Sequence, residues 1–175
     1  MLSKHKVTCL LLLSLLALAG CAGPYVEPTS GDTARIRILA PTVSFTESSG
    51  VVAYPGGKCD AVAEFGVLGG NLAGLTDTKL PALGIPKVMP IKPNTSYERR
   101  IPAGGKILFK VNSGKGQSAC SVMASFVPEA NADYELLMHS TSVNCGINVR
   151  KIVVDANGTA FAIKPPDVTY PKTCE

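Results

Sequence analysis

The side chains best able to do chemistry in this 175-residue chain are its thiols, six cysteines against two histidines. Cys21 ends an apolar run in the stretch "LLALAGCAGP" (15–24), flanked by the small residues Ala19, Gly20 and Ala22. A thiol placed there can carry a thioether, and its small neighbours let the segment enter a narrow processing site. Cys59, Cys120, Cys145 and Cys174 form an even set, which in an oxidising compartment reads as two disulfides. They show no C-x-x-C spacing, so no metal site is expected. Cys9 lies inside the apolar run.

Catalysis by acid–base or nucleophilic routes needs a nucleophile, a base and an orienting group within hydrogen-bond reach. After residue 20 the chain offers one imidazole, His139 in "ELLMHST". Alternation puts it on a face with Glu135 and Leu137, opposite Tyr134, Leu136 and Met138, where a solvent-facing strand histidine is expected. No H-E-x-x-H, G-x-S-x-G or Ser-x-x-Lys motif occurs. An enzyme would have to use loop carboxylates such as Asp60, Glu64 and Asp77, and nothing in their spacing brings them together. Gly-Lys pairs at 57–58, 105–106 and 114–115 lack phosphate-loop spacing, and Asp155 to Gly158 lacks the further acids of a calcium loop. The expectation is therefore no catalytic residue, no metal and no cofactor.

The elements that position Cys21 begin with a basic start, Lys4 and Lys6, and an apolar run from Val7 to Leu18. That run suits a signal-peptide core and is too short to span a bilayer as a helix. Leu18-Ala19-Gly20-Cys21 resembles the lipobox of bacterial lipoproteins. The resemblance implies cleavage before Cys21, a diacylglyceryl thioether on its sulfur and acylation of the new amino group. Each buried methylene contributes about 0.8 kcal/mol, so two or three chains hold a protein on a bilayer. In Gram-negative lipoproteins an Asp after the lipidated Cys favours the inner membrane. Ala22 stands there instead, which implies a lipid-anchored outer-membrane location facing the periplasm.

Three segments follow: a signal peptide (1–20), a lipidated N-terminus with a flexible tether (21–33), and one domain (34–175). The tether reading rests on "AGPYVEPTSGDT", which combines Pro, Gly, Ser and Thr without periodicity. Loss of Lys4 and Lys6 leaves 15 basic residues against 13 acidic ones. With no basic cluster beyond Arg99-Arg100, nucleic-acid binding gains no support.

Within the domain the period is two. Ala34, Ile36 and Ile38 alternate with Arg35 and Arg37, and Ile107, Phe109 and Val111 with Lys106, Leu108 and Lys110, as in half-buried strands with one wet face. Further strands are expected near 51–54, 61–68, 97–101, 118–127, 133–139, 144–154 and 159–164. Asn157-Gly158 predicts a tight primed turn, and "NSGKGQS" (112–118) a looser connection. The fold class is all-β, an antiparallel β-sandwich of immunoglobulin- or transthyretin-like type. Cys120 shares a face with Val122, Ala124 and Phe126, and Cys145 with Ile147 and Val149, so both sulfurs point inward. Three connectivities are open. Cys59 with Cys120 and Cys145 with Cys174 is favoured, because it ties the C-terminal tail to the core.

One long irregular loop, Gly69 to Pro93, breaks the pattern, with room for a helical turn around Leu80. Leu75, Leu80, Leu83, Ile85 and Met89 either cap one end of the sandwich or form a partner-binding surface rimmed by Lys79, Lys87 and Lys92. "YERRIPAGGKILFKV" (97–111), "CSVMASFVPEANADYEL" (120–136) and "CGINVRKI" (145–152) together resemble small Gram-negative outer-membrane lipoproteins of no assigned activity. The expected function is a structural or protein-interaction module of the envelope, bound to the bilayer through Cys21 and to an envelope protein partner. Two other functions remain open. One is a type VI-like secretion-system accessory lipoprotein, although its distinguishing blocks are missing. The other is a periplasmic lysozyme inhibitor, whose inhibitory loop "SSGVVAYPG" (48–56) resembles.

Overall fold

A computed structural model describes residues 23–41, 47–60, 62–69, 80–115, 118–140 and 144–173. Ten strands build two five-stranded sheets. They are β1 (Gly23–Pro24), β2 (Thr33–Leu39), β3 (Glu47–Pro55), β4 (Ala63–Gly69), β5 (Ser96–Pro102), β6 (Ile107–Lys115), β7 (Ser118–Phe126), β8 (Asp133–Ser140), β9 (Cys145–Val154) and β10 (Ala160–Ile163). One sheet runs β1-β4-β3-β6-β7 and the other β10-β9-β8-β2-β5. The expected sandwich is present, with every strand that the alternation marks. It is not wholly antiparallel: β1 pairs with β4, and β2 with β8, in parallel.

Period-two patterning explains the core. Ala34, Ile36 and Ile38 face inward and are fully buried, as do Phe109 and Val111 on β6 and Tyr134 and Leu136 on β8. An aromatic row crosses the interior, from Tyr25 to Phe65 (4.6 Å between centroids), Phe109 (5.1 Å), Phe126 (6.3 Å) and Tyr134 (4.9 Å). Six of the ten aromatics lie in or beside this row, which concentrates large apolar area where a chain without Trp needs it.

A bulge on β4 breaks the alternation once. Val52 opposes Glu64 while Val51 opposes Gly66, so Phe65 is the extra residue. Gly66 takes a φ of 155° there, and Phe65 and Gly66 are both buried.

The turn after β9 differs from the expected primed pair. Asp155 N and Thr159 O are bonded, Gly158 N donates to Asp155 O, and only Gly158 (φ 80°) is left-handed. Ala156, Asn157 and Gly158 thus form a three-residue loop, in which one left-handed glycine suffices. Asp155 Oδ1 accepts from the amides of both Asn157 and Thr159, so the aspartate closes the loop. Asn112 to Lys115 and Ser118 to Ser121 extend the β6–β7 ladder through most of the expected loose connection. β10 has four residues and is followed by Lys164-Pro165-Pro166.

Short crossovers 103–106 and 127–132 join the sheets at one end, termed the lower end. There β4 begins, β3 ends, β6 begins and β7 ends; on the other sheet β5 ends, β8 begins and β9 ends.

Candidate functional site

Each sheet also has an outer face, and part of each is covered. On the β10-to-β5 sheet, alternation sends Arg35, Arg37, Glu98, Asp133, Glu135 and Arg150 outward. A wet face was expected for Arg37, yet it is 1% exposed and Glu135 is 0% exposed. The cause is the β4–β5 crossover, whose residues 83–86 lie over this face. Arg37 donates to Glu98 (2.8 Å), Glu135 (3.3 Å), the Pro86 carbonyl (3.2 Å) and the Ile85 carbonyl. Glu98 Oε2 in return accepts from the Leu83 amide at 2.6 Å. Arg35 grips Asp133 with two bonds of 2.6 and 2.7 Å and donates to the Leu83 carbonyl. That carboxylate holds the Arg35 guanidinium charged above its ordinary range, against the opposing effect of burial. Arg150 closes the group on Glu135. Every charge here is spent on another charge or on loop backbone, which makes this a fastening for the loop.

The loop residues read as a partner surface are placed accordingly. Ile85 is buried, Leu83 is half-buried and Leu80 packs against the main core. Met89 alone of the four is exposed, and Leu75 lies outside the described residues. The expected helical turn at Leu80 is absent from 80–95, which is irregular chain with a turn at Pro93-Asn94.

The other sheet covers its outer face with apolar contacts. Tyr54, Leu108 and Met123 form a small buried cluster with Val52 and Cys59 against it. The C-terminal segment runs along the β7 edge, where Ser125 and Thr169 exchange two backbone bonds of 2.9 Å. Clefts of about 400 and 370 Å³ flank it, lined by Met123 and Tyr170 and by Leu108 and Thr169. Neither holds convergent charged groups.

The thiols correct the favoured pairing. Cys120 on β7 is bonded to Cys145 on β9, with Cα atoms 6.3 Å apart. Both face the interior where β7 packs over β9, so the bridge staples one sheet to the other. Cys59 is also disulfide-bonded and sits against the outer cluster of Tyr54, Leu108 and Met123; its partner is not Cys120, which is taken by Cys145. Cys174 and Cys21 lie outside the described residues.

The expected flexible tether is corrected at Gly23, Pro24 and Tyr25. Gly23 and Pro24 pair with Ala63 and Glu64, the Tyr25 amide bonds to the Glu64 carbonyl (2.9 Å), and the Tyr25 ring is 8% exposed against Phe65. The Tyr25 hydroxyl donates to the Arg100 carbonyl (3.0 Å), so this segment joins the edges of both sheets. Arg99 completes the clamp. Its guanidinium lies 5.6 to 6.0 Å from the rings of Tyr25, Phe65 and Tyr97, donates to the bulged Phe65 carbonyl (2.7 Å) and stands 3.8 Å from Glu27. Burial, then Glu27, push the Tyr25 phenol well above its ordinary value, partly offset by Arg99.

Among the described residues no catalytic set assembles. His139 is exposed on the outer face with Glu135 and Leu137, as alternation implies, and lies across Gly146, where a Cβ would fall 2.2 Å from Nε2. Ser49 donates to Ser113 (3.0 Å) and Ser113 to Glu47 (3.4 Å), a buried trio on the opposite sheet from that imidazole. Asp60 and Glu64 are exposed on the β3–β4 turn and on β4, and Asp77 lies outside the described residues. Among the described residues no three His, Cys, Asp or Glu side chains converge as metal ligands. "SSGVVAYPG" forms central strand β3, paired on both sides, so it is not the projecting loop that an enzyme cleft would need.

Neither the Tyr25–Arg99 clamp nor the ionic fastening is expected from the sequence as a unit. Complementary charge on adjacent strands, Arg35 and Arg37 against Glu98, Asp133 and Glu135, was the available signal. Compared with known proteins, the chain matches no family model and no curated sequence.

Proposed function

We propose that this chain is a lipid-anchored envelope protein, held through Cys21 on the periplasmic face of the outer membrane, whose sandwich serves as a structural or protein-interaction module without catalysis. The observation that carries the reading is Leu18-Ala19-Gly20-Cys21 at the end of an apolar run, two residues before the folded domain begins at Gly23. Three further observations support it. An inter-sheet disulfide suits an oxidising compartment. The buried charges of Arg37, Glu98 and Glu135 are engaged with one another and with a loop. Of the residues read as a partner contact, Met89 keeps the exposure that a partner requires.

Expression of the full chain in a Gram-negative host tests this. The N-terminal peptide of the membrane fraction should begin at Cys21 and carry a diacylglyceryl group by mass, and Cys21→Ser should release the protein into the soluble periplasm. An unmodified thiol, with membrane association unchanged by Cys21→Ser, rejects the anchor.

A further inference from the structure

Resting on that anchor reading, we propose that the lower end of the sandwich is a lipid-docking face, pressed directly against the bilayer instead of hanging below it on a leash. Ala22 is the one residue between Cys21, which carries the acylated sulfur, and Gly23, where pairing with β4 begins two residues on. An extended chain spans at most about 3.6 Å per residue, so this link reaches roughly 7 Å. Gly23 is itself immobilised, because Pro24 and Tyr25 are bonded to β4 and Arg99 clamps the ring of Tyr25. Since β1 runs parallel to β4 and pairs with its first residues, the chain enters the domain at the lower end.

Three exposed apolar side chains also sit at that end. Val62 (39% exposed) immediately precedes β4, Val127 (41%) immediately follows β7, and Val154 (51%) is the last residue of β9. Val26 (80%) lies on the entering segment itself. These four side chains come from four separate elements, and no single strand pattern demands that they be apolar. A bilayer interface takes up apolar groups to a depth of about 5–10 Å, which matches the reach of the two-residue link. Charge at this end is mixed, with Lys58 and Lys106 among Asp60, Glu129 and Asp155, so attraction to anionic headgroups is not what orients the domain.

The absence of native Trp makes the test direct, because each introduced indole reports one position. Purified full-length mature protein carrying Val62→Trp, Val127→Trp or Met89→Trp is reconstituted into phosphatidylethanolamine–phosphatidylglycerol vesicles with or without brominated acyl chains. Met89 lies in the loop leading to the start of β5, at the opposite end, and serves as the control. The expected result is a blue-shifted emission quenched at least twofold at 62 and 127, with neither change at 89. Equal quenching at all three positions, or none at any, in protein whose mass confirms the diacylglyceryl group, overturns the docking face and leaves the anchor standing. Recovery of protein with unmodified Cys21 overturns both. Because Val62 and Val127 are surface residues, retention of the Cys120–Cys145 bridge by peptide mapping verifies that each variant is folded.

Discussion

The two sheets shield their outer faces by opposite means. One places Tyr54, Leu108 and Met123 under the turn carrying Cys59 and near the C-terminal segment, an apolar cover that sheds water without demanding direction. The other places Arg37, Glu98 and Glu135 under residues 83–86, a cover made of charged groups meeting backbone at fixed angles. The apolar cover can repack with small shifts of its members. The ionic cover works in one register only, since sliding the loop by a single residue would break the bonds that Arg37 and Glu98 make to its backbone.

Substitution should expose that difference. Arg37→Met leaves Glu98 and Glu135 buried beside unsatisfied carbonyls of Ile85 and Pro86, and is expected to cost about 3–5 kcal/mol in urea unfolding. A loss below about 1 kcal/mol would mean that the ionic cover is dispensable. Leu108→Ala on the opposite face removes apolar contacts from a small cluster that can collapse, so about 2 kcal/mol is expected by the same measurement, with the 83–86 loop unchanged in amide exchange. Tyr25→Phe, which touches neither cover, should cost about 1 kcal/mol for the lost bond to Arg100. Its signature lies in alkali. A phenol whose folded pKa lies above its unfolded value of about 10 adds stability fully present below pH 10 and lost as pH rises beyond it. Wild type should therefore lose stability above pH 10 more steeply than Tyr25→Phe, measured as thermal midpoint against pH.

How much of this was legible follows from what alternation encodes. Period two marks which residues share a face, so the strands carrying Ile36, Phe109, Val149 and their neighbours are readable, and so is the inward aim of Cys120 and Cys145. It does not say what lies beyond a face. Arg37 looks wet in the pattern because the covering chain, 83–86, has no period of its own. Tyr25 looks like tether because a two-residue parallel strand leaves no pattern, and its burial depends on contact with Phe65 of β4. The disulfide pairing is not encoded in alternation, because sheet-to-sheet stacking, which brings β7 over β9, is a property of the assembled layers and not of either strand.

The brevity of β10 matters once many copies share one surface. Its unpaired rim offers four residues, and the chain then enters Lys164-Pro165-Pro166, whose prolines carry no amide hydrogen to donate. A neighbouring copy could therefore zip on for barely one turn of the pleat before running out of donors. Crowding in two dimensions would then raise collision frequency without seeding a growing cross-strand ribbon, although Phe161 and Ile163 stand open along that rim.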